Sequence, residues 1–512
     1  MLSKFLSFGL KGVDGFLVGV EVDVSKGLPT YSIVGLPDAG IKESKDRVVS
    51  ALRNSGFDLP VKKVTVNLTP AEIKKAGTHY DLPIALGILK SIGKISDVSG
   101  RQTTSTAFIG ELSLDGKIRP VNGVLPMLLS MKGKQGIESV VVPPENGGEA
   151  ALSKLNVYMA DSLKNVVSFL NGEIELPLAR RRREIKDKIF KGDFSEVKGQ
   201  VAAKRAMEIA AAGFHNLLMI GPPGSGKSML ARRFSTILPP LTDNESIEVT
   251  KIYSIAGMGI SGIIRHRPFR DPHHTISDAA LIGGGTNPKP GEVSLAHCGV
   301  LFLDEFAEFS RSALESLREP VESHLVRISR VKENVTYPAK FILIAAMNPC
   351  PCGYQGHPLK ECVCTPLQVK KYQVKVSGPI LDRIDMHVQL SPIKYSQWSA
   401  DKTEKDSRSI RERVLEALKV QKRRFGGSSY FNAFMNVSEI RKYCRLDLEC
   451  SKIMETAMDR FGYSARSLDK MLKVARTIAD LSSSEEIKKE HLTESMLYRI
   501  LDKRESSSLI GG

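Results

Sequence analysis

"NLLMIGPPGSGKSML", residues 216–230, is the stretch on which the fold turns. An apolar run, Leu217–Ile220, breaks at Gly221-Pro222-Pro223-Gly224-Ser225-Gly226-Lys227-Ser228, and a helix opens at Met229. Glycines at this spacing let successive backbone N–H groups turn inward around phosphates. Lys227 then reaches the β and γ oxygens, and the Ser228 hydroxyl is placed to ligate Mg²⁺ at the helix N-terminus. With a strand before it and a helix after it, the motif predicts a site for ATP and Mg²⁺.

Downstream, "GVLFLDEF" (299–306) is a second apolar strand, Val300–Leu303, ending in Asp304 and Glu305. Beside a phosphate cradle, the aspartate would hold the Mg²⁺ shell and the glutamate would polarise the attacking water. A strand end with solvated acids is the plainer reading, but the order and separation from Lys227 suit one nucleotide-binding sheet. A third apolar strand, Phe341–Ala346, runs into Asn348, a neutral amide able to reach the γ-phosphate or the attacking water. Arg383 in "SGPILDRIDMHV" and Arg466 in "GYSARSLDKMLKVARTIADL" offer guanidinium groups, which suit the charge on a transferring phosphoryl group and equally suit surface ion pairs.

In that order these features resemble Walker A, Walker B, sensor 1, arginine finger and sensor 2 of the AAA+ ATPases. The runs "RHRPFRDPHHTISDAALIGGGTNPKPGEVSLAHCGVLFLDEFAEF" (265–309) and "LREPVESHLVRISRVKENVTYPAKFILIAAMNPCPCG" (317–353) narrow the resemblance. Both are similar to the YifB/ComM family of magnesium-chelatase-like AAA+ proteins, whose relatives include the chelatase ATPase subunit and the MCM helicases. "DFSEVKGQVAAKRAMEIAAAG" (193–213) stands where that family has its adenine-side helix. The resemblance implies two elements facing the pore of a hexameric ring, here about Phe269–Pro290 and a hairpin at Val326–Tyr337. The hairpin carries Arg327, Arg330 and Lys332, which would present cations to DNA; an edge strand protected by charge is the alternative. His273 and His274 stay unassigned, since two adjacent histidines are not a metal site.

Residues 1–170 read as α+β, with strands at Phe16–Val24, Val61–Asn67, Ala107–Glu111 and Ser139–Val142 and helices at Ala39–Ser55 and Asp81–Ser91. "GVDGFLVGVEVDVSKGLP" (12–29) and "GELSLDGKIRPVNGVLPMLLSMKGKQGIESVVVPPEN" (110–146) resemble the Lon-protease-like domain, of ribosomal S5 domain 2-like fold, that the family carries ahead of its ATPase. His79 stands at about the place of the protease serine, and Leu125-Pro126 where its lysine would be. Neither catalytic group is present, so the resemblance implies a non-proteolytic scaffold.

The expected organisation is therefore α/β: an AAA+ P-loop core of parallel sheet and helices at 194–394, a helical lid at 395–512, the Lon-like domain at 1–170 and a basic linker at 171–193 that holds Arg180–Arg183. The arginine run reads first as a solvated linker, since a basic linker face needs no ligand, with contact to a phosphate backbone as the alternative. A chain of 512 residues has room for such a division.

Charge bears on partners: Lys plus Arg number 73 against 57 acids, a net charge of +16, which favours a polyanion such as nucleic acid or simply maintains solubility. Seven cysteines at low density, and no signal-like N-terminal segment, fit a cytoplasmic protein. No window approaches ~18 consecutive apolar residues, so no membrane partner is expected.

Four of those cysteines follow Asn348 at once. Cys350-x-Cys352 and Cys362-x-Cys364 form two pairs with nine residues between, enough to close a loop on one structural Zn²⁺, with His357 as a substitute ligand. Free thiols are the other reading; disulfides are disfavoured in a reducing compartment. By resemblance, the function is that of an ATP-driven homo-hexameric motor on single-stranded or branched DNA, a helicase or branch-migration enzyme serving natural transformation or homologous recombination. A chelatase-type motor remodelling a protein partner for Mg²⁺ insertion into a porphyrin is the alternative, and an ATP-dependent protease is disfavoured by the missing serine and lysine.

Overall fold

The computed structural model describes residues 2–59, 61–96, 103–130, 136–180, 192–259, 262–285, 288–330, 333–392, 406–427, 430–499 and 501. Its contacts divide the chain into two compact units. The first comprises Met1–Asp187 with two later segments, Asp243–Arg265 and Ser329–Tyr337; the second comprises Lys188–Thr242, His266–Ile328 and Pro338–Gly512. The domain boundaries expected from sequence are contiguous, and the compact units are not. Two segments from inside 194–394 group with the N-terminal unit. The linker arginines Arg181–Arg183 lie outside the described residues.

The first unit is built on a seven-stranded mixed sheet in the order Tyr31–Val34, Lys63–Thr69, Asp14–Ser25, Leu2–Lys11, Thr106–Phe108, Ser139–Val142, Asn156–Met159. Leu2–Lys11 and Asp14–Ser25 form an antiparallel hairpin, while the last four strands in that order run parallel. Val18, Val20 and Val22 are buried with Ile84, Leu86 and Ile88 of the Asp81–Ser91 helix. That helix is apolar nearly all round, as a helix enclosed in a core must be. The Asp243–Ala256 helix docks here: the Gly123 N–H donates to Ser254 O at 3.0 Å, and Ser254 Oγ donates to Glu149 Oε2 at 2.5 Å.

The second unit holds a five-stranded sheet in the order Phe269–Arg270, Val300–Leu303, Ile342–Met347, Leu217–Ile220, Met386–Gln389, parallel throughout. Val300–Leu303 and Ile342–Met347 are buried at every residue, which is why these strands read as unbroken apolar runs rather than alternating ones. Helices Val201–Gly213 and Lys227–Ile237 share a core with the sheet and with Ile410, Val414, Val474 and Ile478 of two C-terminal helices. Those helices, Ser407–Arg424 and Ala465–Leu481, are N-capped by Asp406 and Ser464. With Val437–Tyr443, Leu448–Phe461 and Lys489–Leu497 they make an all-helical C-terminal region with its own small core around Met454, Met471 and Leu492. In chain order the architecture is an α+β region, a P-loop AAA+ core of parallel sheet and helices, and a helical region. Among the described residues no helix is long and apolar enough to cross a membrane.

Candidate nucleotide site

In a parallel sheet every strand delivers its following loop to the same edge. Register then decides which loops meet. Ile220 pairs with Met347 and Leu303 with Ala345, so the turn after Ile220, the acids after Leu303 and Asn348 after Met347 gather at one edge. The Gly221 N–H donates to Met347 O at 3.2 Å. Gly224 and Gly226 sit at φ +74° and +90°, a backbone that other residues rarely adopt, so the turn needs glycine there.

Lys227 opens the following helix, and its side chain folds back into the turn. Nζ donates to Gly221 O at 2.6 Å, Pro222 O at 2.9 Å and Asn348 Oδ1 at 3.2 Å. Burial holds its ammonium below the usual lysine range, with the Asp304 carboxylate pulling the other way. Ser228 Oγ donates to Asp304 Oδ2 at 2.5 Å. A hydroxyl and a carboxylate oxygen in contact at a helix N-terminus are the hard oxygen donors that Mg²⁺ takes. Gln200, at φ +52°, donates from Nε2 to Ser225 O at 3.1 Å and Ser391 O at 2.7 Å, which ties the start of the Val201–Gly213 helix to the same turn.

Glu305 adopts φ +52°, and its N–H donates to Asp304 Oδ1 at 3.0 Å. Its carboxylate turns toward the strand beyond, where His274 Nδ1 lies 3.0 Å from Oε2. Asp271, in the same loop as His274, lies 3.6 Å from Arg232 Nη2; burial raises its carboxyl above the usual range and nearby Asp304 adds to the shift.

Arg383 and Arg466 form a separate cluster. Arg383 Nη2 lies 2.5 Å from Glu322 Oε2, Arg383 Nη1 donates to Pro379 O at 2.8 Å, and Arg466 Nη2 donates to Glu322 Oε1 at 2.6 Å. Glu322 thus receives two guanidinium groups, which hold its carboxyl below the usual range against the opposing effect of burial. The structure therefore brings Lys227, Ser228, Asp304 and Asn348 together and sets Arg383 and Arg466 against each other's partner instead.

The four cysteines converge. Sγ atoms of Cys350, Cys352 and Cys362 lie 3.4, 3.5 and 3.6 Å apart, and the four ligand atoms of Cys350, Cys352, Cys362 and Cys364 all fall within 4.8 Å of one another. Tetrahedral Zn–S bonds of about 2.3 Å imply S···S edges of about 3.8 Å, so the donor set fits such an ion. Backbone N–H groups of Gln355 and Cys352 point at the sulfurs of Cys350 and Cys364, at 3.3 and 3.4 Å. A hydrogen bond with the Tyr354 backbone brings the Cys352 thiol down to about 6. His357 stands apart: its Nδ1 accepts from the Leu359 and Lys360 N–H groups and is absent from the cluster. The loop touches the phosphate turn, since a Cβ on Gly353 would stand 2.6 Å from Pro223 Cδ.

The candidate DNA hairpin is a two-stranded sheet of Leu325–Arg330 and Glu333–Pro338. Val326, Ile328, Val335 and Tyr337 are buried, while Arg327 is exposed and pairs with Glu319 at 3.0 Å. The Arg330 side chain and Lys332 lie outside the described residues. In the N-terminal unit, His79 is buried, with Nε2 at 2.8 Å from Phe8 O and its pKa pushed down by burial to about 4. Leu125 is buried in the Val124–Leu129 helix.

Three family profiles cover most of the chain: "Magnesium chelatase, subunit ChlI" over 193–398, "Subunit ChlI of Mg-chelatase" over 20–146 and "Magnesium chelatase, subunit ChlI C-terminal" over 404–499. Competence protein ComM of Haemophilus influenzae is 42% identical over 499 residues, 96% of each chain. The chain belongs to the ComM/YifB family of magnesium-chelatase-like AAA+ proteins. The uncharacterized protein YifB of Escherichia coli is 40% identical over 497 residues, again 96% of each chain. The Magnesium-chelatase 67 kDa subunit of Chlorobaculum tepidum is more distant, 27% identical over 160 residues, 30% of this chain and 23% of its own length.

Sequence reading did not single out Glu322, Asp271 or Arg232, and left His274 without a role. Glu322 follows "LREPV" with no motif to mark it; only the fold shows that two distant arginines end on it. His274 had a signal, since it follows the strand next to the one that ends in Asp304-Glu305.

Proposed function

We propose that the protein is an ATP-hydrolysing homo-hexameric motor that moves on single-stranded or branched DNA and drives branch migration or strand separation in transformation or recombination. The observation that carries the ATPase part is the meeting of Lys227, Ser228, Asp304 and Asn348 at one sheet edge. Residues Gly221–Ser228 cradle the phosphates, and Lys227 leaves its carbonyl partners for the β and γ oxygens. Ser228 and Asp304 would hold Mg²⁺, which would supply charge neutralisation to the phosphates. Asn348 orients the γ-phosphate, Glu305 polarises the attacking water, and guanidinium groups arriving from a neighbouring subunit stabilise the transferring phosphoryl group.

Arg383 and Arg466 share Glu322, and we assign both to the neighbour's nucleotide. Exchange of Glu322 for a γ-phosphate would register ATP across the subunit boundary. The cysteine loop holds structural zinc and shapes the surface beside Pro223. The DNA part rests on the name competence protein carried by the Haemophilus influenzae relative, on the net charge of +16, and on the exposed Arg327 at the hairpin. Among individual relatives the porphyrin reading has less support, because the 67 kDa chelatase subunit of Chlorobaculum tepidum aligns over 30% of this chain, against 96% for the Haemophilus influenzae protein.

ATP hydrolysis measured with and without single-stranded and four-way junction DNA tests the proposal. Stimulation that weakens as salt rises is expected. Hydrolysis indifferent to DNA at every salt concentration sinks the DNA part and leaves the ATPase standing.

A further inference from the structure

Each of the two arginines that end on Glu322 stands close in the chain to one half of a buried ion pair. Asp385 is two residues beyond Arg383, and Lys470 is one helical turn beyond Arg466 on the same face of Ala465–Leu481. Lys470 Nζ lies 3.4 Å from Asp385 Oδ1, with the two side chains only 11% and 13% exposed.

The carbonyl between Arg383 and Asp385 is held as well. Ile384 O accepts from Lys470 Nζ at 3.0 Å and from Arg499 Nη1 at 2.7 Å. Arg499 Nη2 in turn donates to Oγ of Ser467, the residue after Arg466, at 3.4 Å. On its other side Asp385 is tied to the head of the Leu217–Ile220 strand. The Asn216 N–H donates to Oδ2 at 2.9 Å, and the Asp385 and Met386 N–H groups donate back to Asn216 O at 3.1 and 3.0 Å. His215 Nδ1 stands 3.8 Å from the same Oδ2, and its Nε2 lies 2.8 Å from Oγ1 of Thr477, further along the Arg466 helix. Burial would raise the Asp385 carboxyl, but Lys470, His215 and the Asn216 N–H outweigh it and hold the group below the usual carboxylate range.

A buried ion pair is a costly way to join two elements, since desolvation offsets much of the attraction and apolar side chains of similar size often hold as well. What it adds here is register. One ammonium that meets both Asp385 Oδ1 and Ile384 O fixes how the helix seats against the loop. Groups that act on a reacting centre tolerate little misplacement, about 1 Å costing as much as 10²-fold in rate. We propose that Asp385 and Lys470 are positioning residues, a lock between the Arg383 loop and the Arg466 helix that presents both guanidinium groups to the neighbouring subunit's nucleotide as one unit. This inference rests on the assignment of both arginines to the neighbour's nucleotide.

The test compares full-length wild type with Lys470→Arg and with the double variant Asp385→Asn/Lys470→Met, which removes both charges and so strands neither. Three quantities are read: melting temperature, steady-state ATP hydrolysis, and hydrolysis by rings mixed with Lys227→Ala or with Arg383→Ala subunits. The double variant should fold and lower kcat by about 10²-fold. Lys470→Arg should keep most of the activity, because a guanidinium can donate to both oxygens. Mixed with Lys227→Ala, the double variant should regain activity, since its phosphate turn then meets the well-placed arginines of the other subunit. Mixed with Arg383→Ala it should stay inactive, since no subunit then carries two well-placed arginines.

A double variant that is unfolded, or that folds with unchanged kcat, overturns the inference. So does a full loss in Lys470→Arg. Recovery with Arg383→Ala in place of Lys227→Ala also overturns it, because the pair then serves its own subunit's nucleotide through the Leu217–Ile220 strand. Arg383→Ala mixed with Lys227→Ala is the control: if that pair regains nothing, the assignment of the arginines to the neighbour falls, and this inference with it.

Discussion

Arg383 and Arg466 end on the same carboxylate, at 2.5 Å and 2.6 Å from the two oxygens of Glu322. One arginine follows the short Gly378–Leu381 helix and the other opens the Ala465–Leu481 helix, so a core loop and the helical region present their cations together. Side chains that share a partner face the same way, and the proposal gives them one target, the nucleotide of the adjoining subunit.

Subunit mixing tests this. Each of Lys227→Ala, Arg383→Ala and Arg466→Ala alone should abolish most hydrolysis, with an arginine loss of about 10³-fold in kcat. Mixed rings of Lys227→Ala with either arginine variant should regain activity, because some interfaces then hold an intact Lys227 and two intact arginines. Mixed rings of Arg383→Ala with Arg466→Ala should stay inactive. Recovery in that last mixture would mean that Arg466 serves its own subunit's nucleotide.

Glu305 and Lys227 should separate binding from chemistry. Glu305→Gln should retain ATP and lower kcat by about 10²-fold or more, while Lys227→Ala should lose ATP binding itself. Equilibrium binding of a fluorescent nucleotide beside single-turnover hydrolysis distinguishes the two. Equal loss of binding in both variants would remove Glu305 from the chemistry.

The cysteine loop predicts a metal content. Purified protein should carry about one Zn²⁺ per chain by elemental analysis, falling to near zero on Cys362→Ser with Cys364→Ser. Because Gly353 abuts Pro223, losing the ion should also weaken nucleotide binding. Protein free of zinc, with unchanged melting temperature after chelator, would leave four thiols with no structural duty.

His79 predicts an acid-dependent loss of stability. Its folded pKa of about 4 lies below the ordinary histidine value of 6.5, because burial disfavours the imidazolium. A depressed folded pKa contributes stability that is present above about pH 6.5 and is lost as pH falls toward 4. Raised to about 6, the buried Asp81 carboxyl works in the opposite direction, through burial opposed by Arg47, so the wild-type profile alone is ambiguous. The difference between wild type and His79→Gln isolates the histidine. That difference should move by about 3 kcal/mol against the wild type between pH 6.5 and 4 in urea unfolding. A pH-independent difference would mean that His79 titrates normally.

Much of the second unit was legible because its strands are buried on both faces. Leu217–Ile220 and Val300–Leu303 have the bounds their apolar runs suggest, and the turn chemistry at Gly221–Ser228 is local to eight residues. The first unit was harder. Leu2–Lys11 mixes serine, glycine and lysine with its apolar residues, so nothing local marks it as the centre of a sheet, and only its hairpin with Asp14–Ser25 makes it one. The expected strand Ala107–Glu111 divides into Thr106–Phe108 and Glu111–Leu112. Nor does any local pattern tell that Asp243–Arg265 groups with the N-terminal unit, since that grouping rests on contacts such as Ser254 with Glu149 between residues far apart in the chain. Glu322 was invisible for the same reason: an exposed glutamate gains meaning only when the fold aims two arginines at it.

In the proposed function, ATP hydrolysis at the Lys227–Asp304 site drives movement on DNA. Branch migration of a synthetic four-way junction, followed with ATP, without ATP, and with the Glu305→Gln protein, tests it most directly. ATP-dependent resolution into duplex products is expected of the wild type, and none in the other two reactions. A wild type that hydrolyses ATP but leaves the junction intact, alongside single-stranded and forked substrates, would contradict it.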